Sequence, residues 1–301
     1  MTAVRQKRRK GLMVLTILFA TMIGLIFVAY SGNTHIMKTR YDLTFSNLPK
    51  GFDNYKIVQI SDLHVKEFGK DNARLLKAVA KEDPDLVVTT GDMINSTDTP
   101  DKFDMPAKFL SDLASLYDTY YIDGNHETAM NSINSDYYHE WIALVKDSGT
   151  KILDNESVRL KKSGDSITLY GLWYNGRYYN NMGDSEAEKY FLDVTDVDKL
   201  LDSPSPDDFN ILLTHNPVYF DAYSDWGADL TLTGHMHGGV IRVPFKGGLI
   251  SPERVYWPEY DAGQFEKDDS IMIVNRGLGN GTSGYRFLNW PDVSVITLKA
   301  S

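Results

Sequence analysis

The sequence predicts an α/β fold. Short β-branched runs alternate with amphipathic stretches through the first half of the chain, and polar, glycine-marked turns follow the runs. A third observation, an uncharged stretch near the start, places a membrane helix ahead of that fold.

That stretch is residues 11–30. At about 1.5 Å per helical residue it matches the roughly 30 Å hydrocarbon core of a bilayer. Arg5, Lys7, Arg8, Arg9 and Lys10 precede it, while only Lys38 and Arg40 follow closely. The positive-inside tendency then keeps a basic cytoplasmic segment, 1–10, inside and carries the rest across the cell membrane as a single-pass protein. A cleaved signal peptide would have a shorter apolar core, and Ala29-Tyr30-Ser31 matches its small-x-small site only loosely. An uncleaved anchor is therefore the expectation. Arg8-Arg9 also reads as a twin-arginine export address, although Lys10-Gly11-Leu12 lacks the usual bulky apolar residue.

Residues 31–50 read as a connector and edge strand, the strand at 39–48. The run at 55–60 is of the kind buried in a sheet. Residues 71–81 have helical spacing, with Leu75, Leu76, Val79 and Ala80 on one face and Asp71 or Asn72 as cap. Strands at 85–90 and 119–122 and helices at 108–116 and 136–146 continue the alternation. The second half is richer in strands, at 166–173, 209–213, 230–233, 271–275 and 293–298. Neither a repeat nor a long linker divides 51–301, which reads as one catalytic domain.

The formal charge of −10 argues against a nucleic-acid partner, which leaves a basic footprint. With no cysteine, any metal must use nitrogen and oxygen ligands. The stretch Gly234-His235-Met236-His237-Gly238-Gly239 follows the 230–233 run and sets two imidazoles at i and i+2, on one side of a strand end. Four other strand ends are similarly polar: Ser61-Asp62-Leu63-His64, Gly91-Asp92, Gly124-Asn125-His126-Glu127 and Thr214-His215-Asn216-Pro217. Five of the seven histidines lie in these segments, and His35 and His139 read as ordinary surface residues. Each segment alone is a turn or a structural histidine. Together they converge where α/β sheets collect ligands, beyond the carboxyl ends of the strands, and their donor mix suits Mn, Fe or Zn.

In order, these segments spell Asp-x-His, Gly-Asp, Gly-Asn-His-Glu, His and Gly-His-x-His, which resembles the calcineurin-like metallophosphoesterase superfamily from about Tyr55 onward. The run from His237 to Pro244 and the later Asn275-Arg276-Gly277-Leu278-Gly279 resemble its membrane-anchored bacterial branch. The resemblance implies a four-layer α-β-β-α sandwich with two mixed sheets and a site for two divalent cations. Asp62, His64 and His237 would hold one, Asn125, His215 and His235 the other, and Asp92 would bridge them. It also implies hydrolysis of phosphate esters by a metal-bridging hydroxide. Two cations about 3.5–4 Å apart activate a shared water and clamp both reacting oxygens. His126 would protonate the leaving alkoxide, with Glu127 either orienting it or merely starting a helix.

Arg276 and Arg286 are candidates for binding the phosphoryl oxygens, since guanidinium grips phosphate bidentately. The string from Gly279 to Gly284 fits G-x-G-x-x-G, but an aromatic, proline-terminated stretch follows instead of a helix, so it reads as a loop. Aromatic clusters at 172–179 and at Tyr256, Trp257 and Tyr260 line a pocket, touch lipid headgroups or, more commonly, pack under loops.

The resulting expectation is a membrane-anchored, outward-facing hydrolase of phosphodiester or pyrophosphate bonds, acting on a lipid headgroup or a wall polymer. A protein phosphatase of this superfamily would carry Asp-Arg-Gly beyond Gly91-Asp92, where this chain has Met93 to Thr97. A lipid-precursor pyrophosphatase is the alternative, although the charge asymmetry points to the other membrane face. A non-catalytic scaffold would have lost ligands, and every position is filled.

Overall fold

The computed structural model describes residues 2–179, 191–281, 284 and 286–301. Helix α1 (Thr2–Thr34) stands away from the rest, with Leu12, Leu15, Leu18, Phe19 and Phe27 each more than half exposed. It is long and apolar enough to cross a membrane, and it continues past residue 30.

Two six-stranded sheets follow. The first contains β1 (Met37–Phe45), β2 (Lys56–Ile60), β3 (Leu86–Thr90), β4 (Thr119–Ile122), β5 (Lys151–Ile152) and β14 (Asp292–Ala300). Their spatial order is β1-β14-β2-β3-β4-β5, all neighbours parallel except β14 and β2. The second contains β6 (Glu156–Lys162), β7 (Asp165–Leu172), β8 (Asn210–Thr214), β9 (Leu230–Thr233), β12 (Gly263–Lys267) and β13 (Ser270–Val274). Here the order is β12-β13-β9-β8-β7-β6, with antiparallel edges flanking a parallel centre. A separate hairpin pairs β10 (Arg242–Val243) with β11 (Gly247–Gly248).

The sheets pack face to face. Leu43, Ile57, Leu86, Val88 and Ile122 from one meet Ile167, Leu169, Ile211, Leu213 and Leu232 from the other in an apolar core. The outer face of the first sheet is covered by α2 (Ala73–Ala80), α3 (Asp104–Ala114), α4 (Asn125–Ile133) and α5 (Ser135–Asp147), whose Leu75, Phe109, Met130 and Trp141 seal Val58, Val87 and Val295. The second is covered by α6 (Val194–Leu200) and α7 (Phe220–Trp226), through Val197, Tyr223 and Trp226 against Tyr170 and Leu212. Four layers result, because fully buried central strands need apolar cover on both faces.

Strand β1 is the edge strand that the sequence predicts ahead of residue 51, held by β14 over nine residues of parallel register. Two other local points concern α2 and α4. Asn72 precedes α2 with φ 58°, and its Oδ1 accepts from the Phe68 N–H rather than capping the helix. Helix α4 begins on the Asn125 motif itself.

Candidate metal centre

The carboxyl ends of β2, β3 and β4 in one sheet and of β8 and β9 in the other open on the same edge. At that edge the backbone reverses through the left-handed region at Asp62 (φ 51°), His64 (48°), Asp92 (55°), His235 (67°) and His237 (50°). Each such non-glycine residue costs about 1 kcal/mol or more, so the surroundings must impose it. The reversal turns these side chains across the edge. Backbones crowd here: a Cβ on Gly234 would lie 1.9 Å from Ser61 Oγ across the two sheets, and within the first sheet one on Gly124 would lie 2.2 Å from Asp92 Oδ1.

Two sets of donor atoms form there. In one, His64 Nε2 is 3.1 Å from His237 Nε2, which is 3.4 Å from Asp62 Oδ1. In the other, Asn125 Oδ1 is 3.1 Å from His215 Nε2 and 2.9 Å from His235 Nδ1, and Asp92 Oδ2 is 3.2 Å from His215 Nε2. Asp92 Oδ2 is also 3.7 Å from His64 Nε2, which puts this carboxylate between the sets. Donors held about 2.1 Å from one cation at right angles are about 3 Å apart, so both sets have the spacing of a coordination shell.

The outer nitrogens are fixed by partners, as metal-binding imidazoles require. His64 Nδ1 meets Asn95 Oδ1 at 2.9 Å, and His215 Nδ1 meets the Thr90 carbonyl at 2.5 Å, so each donates there and keeps Nε2 for the site. His235 donates through Nε2 to Glu253 Oε1 at 2.8 Å and keeps Nδ1. His237 differs, because its Nδ1 faces Arg286 Nη2 at 3.1 Å. A guanidinium only donates, so in the neutral ring the hydrogen sits on Nε2, towards His64. Binding a cation there requires that hydrogen to move to Nδ1 and Arg286 to withdraw onto the Gly279 and Arg276 carbonyls it already holds.

Electrostatics points to missing positive charge. Burial alone would lower His215, but the Asp92 and Asp62 carboxylates raise it to about 10. A proton thus stands where a cation would satisfy the same oxygens. Burial lowers His64, and burial with the His64 and Arg286 charges lowers His237 further, which keeps both rings neutral. Burial and the Asp92 carboxylate push Glu127 up to about 8. Yet the Glu127 partners are all donors: Oε2 accepts from the Asp92 and Gly124 N–H groups, and Oε1 from those of Met93 and Ile94. An ionised carboxylate fits these donors, and cations at the site would make it affordable.

Glu127 therefore orders the Asp92 loop and starts α4; it does not hold His126. The His126 ring instead accepts the Ser96 N–H at Nδ1, leaving its Nε2–H facing the cleft, 4.0 Å from Asp92 Oδ2. Asp92, Asn125, His126, His235, His237, Val240, Pro252, Asn280 and Gly281 line that cleft. Neither predicted phosphate-binding arginine is among them. Arg276 is paired with Asp292 at 3.3 Å and donates to Thr39, and Arg286 is buried behind His237. The string 279–284 falls partly outside the described residues, at Thr282 and Ser283. Its start is stitched beneath the site by the Gly279 N–H to the Asp62 carbonyl. Of the aromatics, Tyr174 and Tyr178 pack in the core under α7, and Tyr179 sets its edge on His235. His35 and His139 are exposed.

Glu253 and Asn95 carry no local sequence signal, because their contacts with His235 and His64 are made only through folding. The same holds for Lys66, whose Nζ reaches the cleft residue Asn280 at 2.6 Å.

A two-sheet sandwich that gathers imidazole, carboxylate and carboxamide donors at the strand ends has the architecture of a metal-dependent hydrolase. The chain belongs to the calcineurin-like phosphoesterase family, whose sequence profile matches residues 55–239. It is accordingly a metal-dependent phosphoesterase, in agreement with the motif resemblance. Metallophosphoesterase YkuE of Bacillus subtilis is 30% identical over 281 residues, covering 92% of this chain and 91% of its own. Phosphodiesterase YaeI of Escherichia coli is 26% identical, with 97% and 98% covered. The UDP-2,3-diacylglucosamine pyrophosphatase LpxG of Chlamydia trachomatis is 25% identical, with 83% and 86% covered.

Proposed function

We propose that the chain is a membrane-anchored hydrolase of phosphodiester or pyrophosphate bonds that works with two divalent cations, Mn, Fe or Zn. The observation that carries this reading is the pair of donor sets sharing Asp92. Asp62, His64 and His237 would hold one ion and Asn125, His215 and His235 the other, with Asp92 available to both. When bound, such a pair supplies Lewis acidity to the phosphoryl oxygens and to the attacking water.

The chain's own groups do the rest. Asp92 is held by the His126 N–H on Oδ1, which leaves Oδ2 for the site. His126 presents Nε2–H to the departing oxygen, with the Ser96 N–H fixing which nitrogen carries the hydrogen. Lys66 donates to Asn280 Oδ1 near the rim, where the arginines do not reach; burial, with the Arg286 charge adding, lowers it to about 7, so near neutral pH it is a donor that is only partly charged. Helix α1 is the single-pass anchor and 37–301 the catalytic unit, on the extracytoplasmic side by the charge rule. The substrate is a headgroup or wall polymer there.

A second reading, cleavage of a lipid-linked pyrophosphate, is supported by the similarity to LpxG. The test is hydrolysis of bis-(p-nitrophenyl) phosphate with added Mn²⁺, then profiling on lipid diesters and lipid pyrophosphates. His126→Ala should lower kcat by about 10²–10⁴. Equal background rates for both proteins would leave a non-catalytic scaffold instead.

A further inference from the structure

We infer that Phe245, Tyr256 and Trp257 form a bilayer-docking surface that seats the catalytic cleft against the leaflet from which α1 emerges. The inference rests on the reading of α1 as a membrane anchor and extends it to a second, separate contact.

Phe245 sits at the tip of the β10–β11 hairpin, in the turn Pro244-Phe245-Lys246, and its side chain is wholly exposed. Tyr256 is 68% exposed and Trp257 48%. They lie beside the hairpin, because the Trp257 N–H bonds the Leu249 carbonyl and Lys246 Nζ lies 5.7 Å from the Trp257 ring centre. Three exposed aromatics in one unit are unusual on a water-facing surface, whereas amphipathic rings suit the membrane interface. The charges beside them are those an anionic lipid surface attracts. Lys246 and Arg254 are exposed, Glu253 is turned onto His235 and Asp261 is paired with Arg242, leaving Glu259 as the exposed acid of 251–261.

The fold connects this unit to the anchor. Asn33, in the last turn of α1, exchanges contacts with the Arg286 backbone in both directions, at 3.3 and 3.4 Å. The next residue, Phe287, bridges Ile241 and accepts the Arg242 N–H. Asn33 is three residues past the uncharged stretch, so it lies roughly 4–5 Å above the hydrocarbon edge, within the headgroup layer. From Ile241 to Phe245 the chain reaches at most about 14 Å, more than the depth of that layer. The same segment also walls the site, because Val240 and Pro252 line the cleft. Docking would hold that opening at headgroup height.

The chain has no cysteine, so single nitroxide labels can be placed at will. Full-length Phe245→Cys, Trp257→Cys, Ala20→Cys and Leu116→Cys proteins are labelled and reconstituted in vesicles of equimolar phosphatidylcholine and phosphatidylglycerol. Leu116 is exposed just before β4, at the opposite end of the strands from the site. Collisions with oxygen, which concentrates in hydrocarbon, are compared with collisions with a water-soluble nickel chelate. The expected oxygen-to-nickel ratios at 245 and 257 are several-fold above that at 116 and approach that at 20. Ratios at 245 and 257 equal to that at 116, with 20 in lipid, would overturn the docking surface alone. Nickel access at 20 would overturn the anchor reading and this inference together. Labels at 245 and 257 shielded from both reagents would mean that protein covers the surface, and would also overturn it.

Discussion

Glu127→Gln isolates the group that shapes the Asp92 loop. The substitution keeps the side chain's size and leaves no cavity, but an amide has only one acceptor oxygen. The native carboxylate serves Asp92 and Gly124 N–H groups at 2.9 Å each through Oε2, and Met93 and Ile94 at 2.8 and 3.3 Å through Oε1. Glutamine must turn its NH₂ towards one of these pairs. The less damaging choice abandons Met93 and the longer Ile94 contact, leaving one well-made and one weak buried bond unmet. At about 1–3 kcal/mol per unsatisfied buried donor, the expected loss is about 2–5 kcal/mol. The loss should depend on metal. Without cations, burial and the Asp92 charge raise Glu127 to about 8, so near pH 7 it is already largely protonated and glutamine differs less from it. Loaded with Mn²⁺, the carboxylate is ionised and the full penalty returns. Urea unfolding of wild type and variant in detergent, with and without EDTA, measures both values. Bound metal is counted by mass spectrometry. A metal-loaded variant within about 0.5 kcal/mol of wild type, retaining its ions, would refute the argument.

Asp92→Asn should lose metal occupancy and nearly all diester hydrolysis, because it removes the carboxylate lying between the two donor sets; full retention of both would rule out a bridging role. Glu253→Ala should weaken metal binding by about 10–100-fold, as loss of an outer partner does, while His126-dependent chemistry on the loaded protein persists; unchanged affinity in a metal titration would dismiss Glu253. Burial, with the Glu156 charge adding, raises Asp154 to about 7. Because its folded value lies above its unfolded one, its contribution is complete below about pH 4 and is lost as pH rises through about 7. Wild-type stability should therefore fall between pH 5 and 8 by on the order of 2 kcal/mol, after discounting for partial exposure. Asp154→Asn, which keeps an oxygen for the Asp123 N–H, should flatten that slope, and parallel slopes in thermal melts at the two pH values would contradict it.

The sequence made the strand ends legible because each is a local signal. A β-branched run stops at Asp62, Asp92, Asn125, His215 or His235, and the parallel order of β2-β3-β4 and of β8-β9 brings those ends to one edge. What stayed hidden depends on distant partners. Arg286 follows a strand and looks available for phosphate, but its surroundings include carbonyls of Gly279 and Arg276 and the His237 ring, none of which a local pattern reveals. Arg276 is diverted to Asp292 for the same reason. The left-handed turns at five of the site residues were equally invisible, since short polar side chains before a loop are compatible with many backbone paths. Strand β1 is legible as an edge strand, but its partner is not, because β14 lies some 250 residues downstream.

Only His35 and Ile36 separate the end of α1 at Thr34 from the start of β1 at Met37, and β1 is zipped along β14 to the end of that strand. Such a joint has almost no slack: a helix grips one side and a sheet edge the other. On the proposed reading of α1 as an anchor, the globular body would not roam above the surface like a tethered balloon, and its orientation would be inherited from the span. A substrate held in the same leaflet would then be met by lateral search, at the pace of sideways diffusion. Lengthening that two-residue joint with glycines and serines would restore roaming without touching a single catalytic atom.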